Sequence, residues 1–171
     1  MRTKRSGRTG LAGAALVAAV AFSIAMAPLR AQAGILATAS NVNPVTFSDA
    51  VAHYLPINGA AAIVTFTTTV PNQRVVVLFN GECAAKGADD VSAVDIDILI
   101  DGVVATPSSS DNAFCTTQGN KVLANWVSAS TNAWQYVPTP GVHQLRVRAL
   151  LRNFTAGEQY RIDDTSVIVM N

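Results

Sequence analysis

Three carboxylates punctuate one apolar run, Val94-Asp95-Ile96-Asp97-Ile98-Leu99-Ile100-Asp101-Gly102. In a strand alternate residues share a face, so Val94, Ile96, Ile98 and Ile100 point one way and Asp95, Asp97, Leu99 and Asp101 the other. Same-face neighbours lie about 6.6–7 Å apart at Cα, a separation that suits two carboxylates flanking a glycosidic bond in an inverting hydrolase. The same acids could contribute to a calcium site, which gathers roughly six to eight oxygens. The third reading is structural. Arg146 and Arg148 repeat the i, i+2 spacing on the side of their own segment away from Leu145 and Val147. If the two strands pair, Asp95 and Asp97 meet Arg146 and Arg148 as a charge ladder on the outside of a sheet. That ladder, or a plain solvent-facing strand surface, is the expectation here, because no catalytic motif supports the acids.

Other chemistry finds little support. The chain has no G-x-S-x-G elbow, no H-E-x-x-H helix, no dinucleotide fingerprint and no EF-hand spacing. Its two histidines are His53 and His143; His143 falls on the Leu145 side of its strand and reads as a packed residue. Asp163-Asp164 reads as a turn pair that bonds local amides. The two cysteines, Cys83 and Cys115, lack further Cys or His at zinc-ligand spacing and are expected to form one disulfide. No metal and no cofactor are expected.

Aromatics supply the remaining recognition chemistry. Trp126, Trp134 and Tyr136 fall close together. Trp134 and Tyr136 share a side of an extended segment and could stack on the apolar face of a sugar. Trp126 shares a side with Val122 and Ala124 and reads as core. The candidate ligand-binding residues are therefore Trp134, Tyr136, Asp95, Asp97, Arg146 and Arg148.

The elements that must position these residues are strands. Period-two alternation recurs over residues 62–70, 74–79, 92–101, 121–130, 134–137, 142–151 and 160–170, broken by Pro71-Asn72, Asn80-Gly81, Asp101-Gly102 and Pro138-Thr139-Pro140-Gly141. Asp101-Gly102 is a hairpin turn pair. Residues 84–91 and 106–112 read as loops. Residues 34–58 are less periodic and hold edge strands or a turn of helix started by Ser48. Short strands at this spacing specify an all-β, antiparallel sandwich or barrel.

Residues 1–33 stand apart. Arg2, Lys4, Arg5 and Arg8 precede an apolar run at 11–27, and Ala31-Gln32-Ala33 gives the small-x-small cleavage pattern of a signal peptide. Residues 34–171 then form one β-sandwich domain. Five of the twelve basic residues lie in the signal, so the domain carries seven bases against eleven acids, a net of −4. A mildly acidic domain without a basic stripe argues against a nucleic-acid partner. The expected location is secreted or periplasmic, with no membrane association after cleavage.

Two segments carry a resemblance. Pro140-Gly141-Val142-His143-Gln144-Leu145-Arg146-Val147-Arg148 and Ile162-Asp163-Asp164-Thr165-Ser166-Val167 resemble hairpin and terminal-strand motifs of secreted jelly-roll sandwiches of the carbohydrate-binding-module kind. The resemblance implies a jelly-roll-like fold; no ligand residue is carried over from it. The expected function is a non-enzymatic binding or surface module whose first candidate ligand is a glycan. The alternatives are a jelly-roll that self-associates as a homo-oligomer, and a carboxylate-based hydrolase using Asp95 or Asp97.

Overall fold

A computed structural model describes residues 34–87, 91–108, 113–119 and 121–171. The signal-peptide reading of residues 1–33 lies outside the described residues. The described chain is all β, in eleven strands: β1 (Ile35–Asn41), β2 (Val45–Phe47), β3 (His53–Tyr54), β4 (Val64–Thr68), β5 (Gln73–Lys86), β6 (Ala93–Ile100), β7 (Val103–Val104), β8 (Ala113–Thr116), β9 (Val127–Val137), β10 (Gly141–Arg152) and β11 (Gln159–Met170).

Two antiparallel sheets pack face to face. One runs β1-β11-β5-β9, with β2 also on β11; the other runs β3-β10-β6-β7, with β4 also on β10 and β8 also on β6. The pairing is nested. The first strand β1 pairs the last, β11; β4 pairs β10; β5 pairs β9; and β6 pairs β8. Successive nested pairs alternate between the sheets, so the chain is one long hairpin wound around a common core, the jelly-roll arrangement of antiparallel strands.

The alternating patterns say which face makes that core. Val94, Ile96, Ile98 and Ile100 of β6 and Leu145, Val147, Ala149 and Leu151 of β10 are buried against Val75, Val77 and Phe79 of β5 and Val167 and Val169 of β11. Each fully buried Val, Leu, Ile or Phe contributes about 1.5–3 kcal/mol of transfer free energy. Cys83 of β5 and Cys115 of β8 are joined by a disulfide, Cα to Cα 6.1 Å, which ties one sheet to the other. The Asp101-Gly102 pair closes the β6–β7 hairpin with both residues at positive φ, +51° and +81°. That is the combination a two-residue turn needs to match strand twist.

Several boundaries differ from the expectations. The two segments read at 121–130 and 134–137 are one strand, β9, and residues 121–126 precede it outside any strand. Asn80-Gly81 does not end its strand; β5 continues to Lys86 and includes buried Ala84 and Ala85, which had read as the start of a loop. The reason lies across the sheet. β11 bulges between Asp163 and Ser166, with Asp164 at φ +44°, and a Cβ on Gly81 would sit 3.2 Å from Thr165 Cγ2. Gly81 therefore serves a close approach between strands. No helix forms near Ser48; Asp49 Oδ1 instead accepts from the Val51 amide at 2.9 Å, an Asx turn between β2 and β3. Residues 88–90 and 109–112 of the two expected loops lie outside the described residues.

Candidate functional site

The outer face of the β6 sheet carries the acids. In the antiparallel register Arg148 stands opposite Asp97, Leu150 opposite Asp95 and Arg146 opposite Leu99. Arg148 Nη2 donates to Asp97 Oδ2 at 2.6 Å, with both side chains partly buried. Arg146 does not join a ladder with Asp95. Stepping back along β6 from Asp97 to Asp95 means stepping forward along β10 from Arg148 to Leu150, so Arg146 lies on the wrong side of the pair. Its guanidinium sits over the Tyr54 ring instead, 5.0 Å from the centroid.

The cation beside Asp95 is Arg152, which the sequence reading did not single out. A diagonal neighbour is within reach of a long side chain, and Arg152 Nη2 lies 3.0 Å from Asp95 Oδ1. That contact is an ion pair outside hydrogen-bond geometry, and Asp95 Oδ1 accepts no hydrogen bond although it is buried. The Asp95 side chain is only 7% exposed. Burial pushes its carboxyl up to about 6, with Arg152 opposing the shift and Asp97 adding to it. The four charged residues line a groove of about 420 Å³, whose apolar wall includes Leu150 and Val104.

His143 is buried at the neighbouring corner of the same sheet. Its Nδ1 is 2.7 Å from Asp101 Oδ2, and its Nε2 is 2.9 Å from Thr68 Oγ1 and 3.1 Å from the Thr139 carbonyl oxygen. The order hydroxyl, imidazole, carboxylate matches that of a nucleophile relay, but Thr68 is 2% exposed and its hydroxyl also lies 3.2 Å from the Thr139 carbonyl. The geometry locks a turn and does not present a nucleophile. Burial opposes ionisation of Asp101, but the Gln144 amide and the His143 ring outweigh it and hold the carboxyl below its usual value.

Trp134 and Tyr136 lie on the outer face of the other sheet, near its β9 edge. Arg74 is opposite Tyr136 and Val76 opposite Trp134. The rings meet edge to face, centroids 5.6 Å apart and planes at 81°, so they form a corner, not a flat shelf. The Arg74 guanidinium lies 5.0 Å from the Trp134 ring centroid, and Tyr136 is 57% exposed. Trp126 is not core: it is 40% exposed outside any strand, with the Arg161 guanidinium over its ring.

The structure thus separates the candidates into two groups on different sheets, Asp95, Asp97 and Arg148 with the unforeseen Arg152 on one, and Trp134 and Tyr136 with the unforeseen Arg74 on the other. Among the described residues no group of three or more His, Cys, Asp or Glu side chains is placed to hold a metal ion. No helix of the described residues is long and apolar enough to cross a membrane. No protein-family model matches the chain, and no curated protein matches it significantly.

Proposed function

We propose that this chain is an exported, non-enzymatic β-sandwich module that binds a glycan at the Trp134–Tyr136 corner. The observation that carries the reading is the placement of an exposed Tyr136 ring against Trp134 and Arg74 on one sheet face. Large aromatics ordinarily serve the core. Here the Tyr136 ring presents a flat apolar surface to the sugar C–H groups, and Arg74 offers N–H donors to hydroxyl oxygens beside it. Export follows from the signal-like residues 1–33, and the Cys83–Cys115 bond suits an oxidising compartment. The test is a glycan array probed with the wild-type domain and with Tyr136→Ala and Trp134→Ala. Selective glycan signals that fall in both variants support the reading; an empty array, or signals unchanged in the variants, overturns it.

A second reading draws on the same face. Val76 and Met170 are paired in register, as are Leu78 and Ile168, and all four are half-buried on the outer side of the β5–β11 pair. We propose this apolar band as the contact of a self-associating sandwich. Light scattering across protein concentration decides it: growth to a dimer or larger species, abolished by Leu78→Lys, supports association, and a strict monomer ends it.

A further inference from the structure

The sheet face that carries the Trp134–Tyr136 corner carries a second pairing of aromatic ring and arginine. Trp126 directly precedes β9, and the Arg161 guanidinium lies 5.3 Å from its ring centroid. β5 runs between the two residues. Cys83 pairs Val127 and Ala84 pairs Arg161, so one further step of the register sets Trp126 level with Ala84. Cys83 and Ala85 belong to the core, and Ala84 between them points outward. Ala84 is nevertheless only 1% exposed, because the Trp126–Arg161 contact spans it. The second pair therefore lies on the same outer face as Trp134, Tyr136 and Arg74, at the other end of β9, and 40% of Trp126 remains open to solvent.

The stretch between the two pairs is polar and open. Ser128, Ser130 and Asn132 share the outer side of β9 with Trp134 and Tyr136, and all three are exposed. Ser128 and Ser130 line a groove of about 430 Å³ whose other wall includes Asn80, Glu82 and Asp164. From Val127 to Tyr136 an extended strand covers about 30 Å, the length of several hexose rings. Aromatic rings at both ends, hydroxyl and amide groups between them and a straight course complement an extended sugar chain, whose C–H faces stack on rings and whose hydroxyls hydrogen-bond. Glu82 and Asp164 in the middle repel an anionic chain. We infer that the site runs the length of β9 and takes a neutral, extended polysaccharide of the β-1,4-linked kind, with Trp126 as its far subsite. The inference rests on the glycan reading of the Trp134–Tyr136 corner and extends it.

The chain contains two tryptophans, so two indole N–H signals report the two ends separately. The experiment titrates the ¹⁵N-labelled protein with β-1,4-linked hexasaccharides of glucose, mannose and xylose, with the matching disaccharides, and with the coiled, α-1,4-linked maltohexaose. At least one β-linked hexasaccharide is expected to shift both indole signals along one saturation curve. Its disaccharide is expected to shift the Trp134 signal alone and to bind at least about tenfold more weakly, since on the longer chain the second contact is intramolecular. Trp126→Ala, and separately Ser130→Arg, which sets a bulky side chain across the track, should reduce the hexasaccharide to disaccharide affinity and leave the disaccharide unchanged. The spectra report whether each variant is folded. A Trp126 signal unmoved by every hexasaccharide, equal affinity for long and short ligands, full affinity in both folded variants, or equally tight maltohexaose overturns the extension; Trp134 shifts that persist in those cases leave the corner reading standing. No shift at either indole with any sugar overturns both.

Discussion

Arg148 and Asp97 are direct cross-strand partners, and the 2.6 Å bond between them joins the two central strands of their sheet on its outer face. The pair is partly buried, the side chains 32% and 17% exposed, which lifts it above an ordinary surface ion pair. Asp97→Asn and Arg148→Met should each cost about 1–2 kcal/mol, and the double variant should show a coupling of about 1 kcal/mol. Urea unfolding of the four proteins measures that coupling; purely additive losses would mean that the two residues act separately.

Asp95 makes stability depend on pH in the opposite sense to most carboxylates. Its folded carboxyl titrates at about 6 against an ordinary value of 3.8, so the folded state holds more protons than the unfolded state between those values. The contribution is fully present below about pH 4 and lost as pH rises through about 6. Allowing for solvent in the groove, it amounts to about 1–2 kcal/mol. Asp95→Asn should therefore stabilise the domain by about that amount at pH 8 and flatten the pH 4–7 part of the stability curve. Melting curves across that range check both outcomes.

Asp101 behaves conventionally. Its carboxyl is held below 3.8 by the Gln144 amide and His143 against the cost of burial, so its contribution is present above about pH 4 and is lost as pH falls further. Its side chain is nearly half exposed, and after screening the two bonds are worth about 0.5–1 kcal/mol. Asp101→Asn, which keeps a side chain that tolerates the positive φ of this turn, should destabilise by that amount at pH 7 and by much less at pH 2.5. Denaturant titrations at the two pH values distinguish this from a loss that is constant with pH.

The Cys83–Cys115 bond closes a loop across the two sheets, with a sequence separation of 32. The chain-entropy argument gives about 3–4 kcal/mol for a loop of that length. Reduction, or the paired change of Cys83 and Cys115 to Ser, should lower the unfolding free energy by about that much and leave the β-rich circular dichroism spectrum intact. An unchanged denaturation midpoint under reductant would contradict it.

Much of the fold was legible because strand alternation is a local property. The buried faces of β6 and β10 follow from alternation alone, as do the Asp101-Gly102 turn and the sidedness of Asp95 and Asp97. Gly81 shows where locality runs out. Asn80-Gly81 has turn composition, yet the glycine lies in mid-strand because a bulge about eighty residues away crowds it. Trp126 failed for a similar reason: two apolar neighbours at alternate positions implied a core strand, but no partner strand lies there, and the indole packs under Arg161 instead.

The sequence by itself determined the class of fold, the core face of each central strand, the cysteine pair and the residue types on the outer faces, since each depends on side chains within one strand or on cysteine count. Only the tertiary structure decided which charges meet. Alternation sets the side on which a residue points and is silent about register between strands. The antiparallel register of β6 and β10 gave Arg148 to Asp97, placed Arg152 beside Asp95 and sent Arg146 to Tyr54. It is that register which buried one acid beside an imperfectly aligned cation and made a groove of a strand face.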